Sequence, residues 1–461
     1  MTTTFPGRPS PLILLLLALL AAADPVDPSI GVCTRKDDLA KRLAALDPVV
    51  AELSTTKDEA KRRKLTAVLV KAADTDIEAL MRYREPSLSP VMIEVLAKSK
   101  KWFMRARAAY VIKLVGDTSA VPALVTALDD ADPIVRETVA TALGHIGGED
   151  AKAALEKRKQ AEKDPFVLAT IEAALSVAAA AQKPYGPRAD GKNWAPVLEG
   201  PDGAKRVAYA WVHKGQSVFN DYDAKTTDYP EAGRFVFPIQ KYKEDLFAGY
   251  PRKSFGAGGN HAGEDCGWFR EGCSYYAIAD GVVRMVQGAG GDWGFIAVVE
   301  HRLTDGRFIT SVYGHAGFDV LVKVGDKVRP GQKIATQGMS CAIENGGYGS
   351  HIHFGLGDGP FRRPVGLATG DSVEVDPGDG KKVKLPILRL VYAATAKNSF
   401  GWPLTAYVVK KADGAELTVE VPEQPVQNEL GWFQAYVKGC RGWLDPQKLL
   451  PELVEGVAPK K

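Results

Sequence analysis

The sequence predicts a multidomain chain: an N-terminal α-helical solenoid, a central antiparallel all-β domain and a small C-terminal β domain. Three observations carry this. Residues 36–180 are rich in Ala, Leu, Lys, Arg and Glu and poor in glycine, with apolar residues recurring at helical spacing. From Phe235 onward, short β-type runs are separated by glycines. Between them, residues 181–234 are dense in proline and glycine, as a linker would be. A chain of 461 residues exceeds what one hydrophobic core sustains, so several domains are expected.

The apolar share of 45% and charged share of 25% are those of an ordinary globular protein. A formal charge of +3 gives no electrostatic footprint for nucleic acid, and none is expected as a partner. At the N-terminus, Arg8 precedes an apolar run from Leu12 to Leu20 that ends in Ala21-Ala22-Ala23. A short basic region, a short apolar region and small residues at the cleavage point read as a secretory signal peptide over residues 1–23. The run is well short of the roughly 20 residues that span a bilayer, so no stable membrane span is expected after its removal. The predicted location is outside the cytoplasm: periplasm, cell envelope or extracellular space. Cys33 is too far past the run, and Val32 before it too bulky, for lipoprotein processing.

The helical region repeats itself. Phe103-Met104-Arg105 through Leu114-Val115-Gly116 aligns with Ile134-Val135-Arg136 through His145-Ile146-Gly147, and Ala120 and Leu124 with Ala151 and Leu155. Asp132-Pro133 and Asp164-Pro165 each open a unit. A period of about 31 residues, with helix, glycine turn and helix, marks a solenoid whose units bury their apolar faces only by stacking. The Asp suits a helix N-cap and the Pro the first turn. These units resemble HEAT-type repeats, which implies a protein-binding surface over 36–180. His145, at the end of a repeat helix, reads as structural. His213 stands alone in the linker beside a short strand, Val207–Val212, and reads as a surface residue.

The β region supplies five strand candidates: Tyr276–Val286, Phe295–His301, Phe308–His315, Lys333–Thr336 and His351–Leu356. The C-terminal β domain is expected over 366–461, and its ending, Gly431-Trp432-Phe433 through Gly442-Trp443-Leu444, resembles the closing strands of a bacterial SH3-like barrel.

Histidine concentrates where the chemistry should lie: of seven in the chain, five fall between His261 and His353. In His261-Ala262-Gly263-Glu264-Asp265 the two potential ligands are four residues apart, on the same side of a strand or helix, and Gly256, Gly258 and Gly259 argue against a helix. In His351-Ile352-His353-Phe354-Gly355-Leu356, strand alternation sends both imidazoles to one side and the apolar residues to the other. Tyr313-Gly314-His315 ends another strand.

The order His-x-x-x-Asp, Tyr-x-His, His-x-His-Phe resembles the lysostaphin/LytM family of zinc peptidases. So do Ala277-Ile278-Ala279-Asp280-Gly281-Val282-Val283, Val324-Gly325-Asp326-Lys327-Val328 and Gly331-Gln332 between the motifs. The likeness runs from about Phe235 to Leu356, and the peptidase domain is drawn at 235–365. It implies one Zn²⁺ held by His261, Asp265 and His353. It also implies catalytic histidines at His351, as general base, and His315, stabilising the transition state. The implied substrate is a peptide bond in a peptidoglycan stem or cross-bridge. Two neutral imidazoles and one carboxylate leave a tetrahedral zinc an open position, as a catalytic site needs.

Other readings compete. Two histidines and a carboxylate also make the facial triad of non-haem iron oxygenases; those sites commonly space the first pair by two, not four. Some relatives have lost the metal and activate wall amidases instead, but all five site residues are present here. A third reading makes the solenoid a scaffold for an envelope complex. Cys266 is expected to point away from the cleft and to close a loop by disulfide with Cys273; Cys33, Cys341 and Cys440 have no assignable pairing. His301 reads as structural, and Glu264 as either a tuning group or a solvated carboxylate. Two stretches depart from the family pattern, Cys266–Cys273 and the loop Ser340–Gly349, and both would border the cleft.

Overall fold

In a computed structural model, the described residues are 36–176, 229–243, 261–361, 372–419 and 443–456, each with short gaps, together with strands at 197–199, 205–207 and 216–217. The expected signal segment, the lone His213, Cys33, Cys341, Cys440 and the barrel-like stretch 431–442 lie outside them.

Among the described residues, eight α-helices form the N-terminal helical region: α1 (Lys36–Thr55), α2 (Glu59–Leu80), α3 (Ser89–Lys98), α4 (Trp102–Val115), α5 (Val121–Ala127), α6 (Pro133–Ile146), α7 (Glu149–Ala161) and α8 (Pro165–Ser176). The Asp-Pro starts act as expected. Asp132 Oδ1 accepts from Ile134 N at 2.9 Å, and Asp164 Oδ1 from Phe166 N and Val167 N at 3.0 Å each. Gly116 ends α4 in the left-handed region, at φ 70°. The repeat carries an ion-pair ladder at equivalent positions. Arg105 bonds Asp130 at 2.6 and 2.8 Å, and Arg136 bonds Glu162 at 2.8 and 3.1 Å. Against the cost of burial, Arg136, the Asp164 N–H and Arg158 hold the Glu162 carboxyl down at about 2.

The central domain is built on one large sheet running β10 (Lys327–Val328), β7 (Gly281–Gly288), β8 (Phe295–Leu303), β9 (Phe308–Ala316), β12 (Ile352–Asp358), β17 (Trp443–Leu444). Three short strands join from the side: β3 (Gln216–Ser217) on β7, β4 (Glu231–Ala232) on β8 and β5 (Glu264–Cys266) on β12. All these pairs are antiparallel except β4 with β8. A second small sheet pairs β6 (Ser274–Tyr276) with β11 (Lys333–Thr336). The expected single strand from Tyr276 is two: a bend over Ile278–Asp280 separates β6 from β7 and sends them to different sheets.

Two segments fall elsewhere than the sequence suggested. β3 and β4, inside the expected linker, pair with the central sheet. The strand expected at Val207–Val212 is described only as Lys205–Val207, paired with Val197–Glu199. At the other end, 443–456 leaves the C-terminal β domain. β17 pairs with β12, and the following helix α9 (Pro446–Val454) buries Leu449, Leu450 and Leu453 in the central core. Period-3.6 leucines behind the Asp445 cap explain the helix. Between them, β13 (Ser372–Val375), β14 (Val383–Lys397), β15 (Pro403–Lys410) and β16 (Glu416–Val419) form a four-stranded antiparallel sheet over Val373, Val375, Ile387 and Val409. No described helix is long and apolar enough to cross a membrane.

The helical and central β cores meet. Cys273 and Met339 of the β domain are members of the helical core cluster, whereas Cys266 packs into the β core. The expected disulfide is therefore absent: Cys266 and Cys273 are both buried and not bonded to each other, and each packs into a different core. Close spacing in sequence did not bring them together because Cys266, on β5, packs into the β core, whereas Cys273, ahead of β6, packs against Thr138 of the helical core.

Candidate metal centre and cleft

The site is assembled by β12. Its register sets His353 opposite Asp265 on β5 and opposite Gly314 on β9, next to His315. Alternation along β12 buries Ile352, Phe354 and Leu356 in the β core and turns His351 and His353 the other way, as the spacing predicted. Gly263 makes the close approach of β5 possible. A Cβ there would lie 2.7 Å from His353 Nε2 and collide with the Phe354 carbonyl oxygen.

Three imidazole nitrogens converge on a single carboxylate oxygen. Asp265 Oδ1 lies 3.1 Å from His261 Nε2, 3.0 Å from His353 Nδ1 and 3.4 Å from His351 Nε2. Ligand atoms of His261, Asp265 and His353 lie within 4.8 Å of one another. Burial works to raise the Asp265 carboxyl, but His351, His261 and His353 around it hold it well below its usual range. Burial drives His353 down to about 4 against the pull of Asp265, so its imidazole is neutral and keeps a lone pair. A carboxylate beside two imidazoles is a donor set that a zinc ion takes, and the residues fit that ion.

The two further histidines sit against this group. His315 and His351 rings are 4.3 Å apart. His351 Nδ1–H donates to the Gly349 carbonyl at 2.6 Å, and its Nε2 faces Asp265 Oδ1 at 3.4 Å. His315 Nδ1–H donates to the Asn345 carbonyl at 2.9 Å, and burial with neighbouring His351 and His353 keeps its pKa well below normal. His315 occupies φ 57°, a left-handed conformation unusual for a residue with a Cβ. The Gly338 N–H holds its carbonyl at 2.9 Å, and Tyr275 OH lies 3.4 Å from the same oxygen and 3.2 Å from that of His351.

All five residues singled out from the sequence thus come together. Trp268 was not singled out as a site residue; its ring stacks on His351 at 4.3 Å with planes 24° apart. Its place in a glycine-flanked turn beside Asp265 was the available signal. Tyr275 and Asn345 carried none. His301 is structural, as expected: it is buried, bonded to Asp280 O at 2.9 Å and Ser311 Oγ at 2.8 Å, and pushed by burial down to about 4. Glu264 is no solvated carboxylate. It is fully buried on the opposite side of β5, and burial pushes it up to about 8. A groove of about 1170 Å³ between α8 and the β domain, lined by Phe166, Arg234, Phe237 and Leu321, contains none of the site residues.

The carboxylate-centred cluster of His261, Asp265 and His353 is a group that could hold a metal ion. Residues 259–364 match the model of Peptidase family M23, and residues 89–176 match that of HEAT repeats. No curated protein matches the chain. Among solved structures, a putative glycyl-glycine endopeptidase lytM from Ruminococcus gnavus ATCC 29149 aligns over 64% of this chain and 91% of its own, at 12% identity. The TM-score is 0.18, too low to compare the two folds.

Proposed function

We propose that the protein is an exported zinc-dependent endopeptidase that hydrolyses peptide bonds in peptidoglycan stem peptides or cross-bridges. The observation that carries this is the convergence of His261, Asp265 and His353 with His351 and His315 alongside, within the span that matches the M23 peptidases. His261, Asp265 and His353 would hold the ion. When bound, zinc supplies Lewis-acid chemistry: it lowers the pKa of water at the site to about 7 and polarises a carbonyl.

The rest falls to the chain's own groups. His351, with Nδ1–H committed to Gly349, offers Nε2 as the general base. His315, with Nδ1–H committed to Asn345, stabilises the transition state at Nε2, and the proton that His351 takes from the attacking water is the one delivered to the departing amine. Trp268 covers one face of His351 and limits the ring to the plane in which Nε2 faces Asp265.

The test is release of soluble peptides from purified wall material by the unmodified chain and by His261→Ala, Asp265→Asn and His353→Ala. Release that stops in all three supports the reading; equal release from the variants overturns it.

A further inference from the structure

The HEAT repeat does not merely precede the peptidase domain; it grips the wall of the cleft. Arg107 of α4 makes a buried two-pronged ion pair with Glu271, at 2.7 and 2.9 Å. Glu137 of α6 accepts from the Ser274 backbone N–H. Gly272, at φ 79°, lies flat on the Tyr110 ring, where any Cβ would collide. Thr170 of α8 bonds Tyr276 OH at 2.8 Å, and Lys333 of β11 reaches Thr141 at 2.8 Å. The face formed by α4, α6 and α8 is thus occupied by the chain's own β domain.

The gripped segment continues to the site. Gly272 N donates to Gln337 O at 3.1 Å, and Gln337 N to Cys273 O at 2.8 Å. The Gln337 side-chain amide then donates to Gly267 O at 2.9 Å and to Ser350 Oγ at 2.8 Å, beside Trp268 and His351 respectively. One end of this loop is therefore held by the repeat, and Gln337 ties the other end, at Gly267, to Ser350 beside His351.

We propose that Arg107 and Glu137 are positioning residues for the peptidase site: the repeat clamps residues 270–274 and so keeps Trp268 stacked on His351. The buried pair suits this role, because removing one partner leaves a desolvated charge that the segment relieves only by moving. The catalytic consequence rests on the peptidase reading above; the clamp itself does not.

The experiment uses the full chain with Arg107→Met, with Arg107→Lys as the conservative variant. Arg105→Met serves as a control, since its partner Asp130 lies within the repeat. Amide hydrogen exchange at 270–274 and 337 is expected to quicken about tenfold or more in Arg107→Met and not in Arg105→Met. On dye-labelled peptidoglycan, kcat is expected to fall about tenfold with KM and bound zinc unchanged, and Arg107→Lys to recover part of it. If Arg107→Met does not fold, Glu271→Gln, which keeps the side-chain shape, takes its place. Exchange and turnover that match the parent, or change equally in Arg105→Met, overturn the clamp. Absent hydrolysis by the parent chain would instead count against the peptidase reading, and the exchange result would still decide the clamp.

Discussion

Asp265 and His353 face each other directly across the β5–β12 pair, with Oδ1 and Nδ1 3.0 Å apart, and Gly263, just before β5, leaves no room for a Cβ against Phe354 and His353. Asp265 is also the atom to which His261 and His351 turn, so its charge organises the whole group.

Replacing Asp265 by Asn keeps the shape and removes the charge. Loss of an outer partner of a metal ligand costs about 10–100-fold in metal affinity, and loss of a ligand itself should cost more. Zinc titration of Asp265→Asn is expected to show affinity reduced beyond that range, with peptide release lost in parallel.

Gly263→Ala should fail for a steric reason. The added methyl meets the Phe354 carbonyl and His353 Nε2, so β5 must retreat from β12. Overpacking of this kind costs about 1–3 kcal/mol. Thermal melts and zinc titration together should show lowered stability and weakened metal binding in the same variant.

Gly144→Ala is the matched contrast. Its Cβ would lie 2.5 Å from Ala174 Cβ, where α6 crosses α8. A loss of about 1–3 kcal/mol is expected in denaturant titration, yet zinc stoichiometry should be unchanged, because the contact lies inside the repeat.

His301 gives a pH signature. Burial holds its folded pKa at about 4, below the ordinary 6.5, so the unfolded chain binds the extra proton between those values. Its contribution is fully present above pH 6.5 and is lost as pH falls towards 4, up to about 3 kcal/mol. Unfolding free energies at pH 7.5 and 5 should differ more in the parent than in His301→Gln. Equal differences would mean that His301 does not titrate this way.

Much of this was legible in the sequence because it depends on local rules. Asp-Pro pairs cap helices wherever they occur, and the repeat followed from Arg105 and Arg136 sharing a place in successive units. Alternation at 351–356 told which way the histidines turn, and the scarcity of histidine told where to look. What escaped depends on contacts distant in sequence. The packing of Cys273 against Thr138, not Cys266, is decided by the docking of two domains, 135 residues apart. The return of β17 and α9 to β12 required knowing that β12 had a free edge. Trp268 gains its meaning only once His351 lies beneath it, and Glu264 is buried because α9 closes over β5.

The most direct test of the central claim is peptide release from peptidoglycan by the full chain, followed by mass spectrometry, before chelation, after it, and after zinc is restored. The account predicts one zinc per chain, products with a new amino terminus, their loss on chelation and their return with the metal. Unchanged release after complete removal of zinc, or none from the zinc-loaded chain with His261, Asp265, His315, His351 and His353 intact, would contradict it.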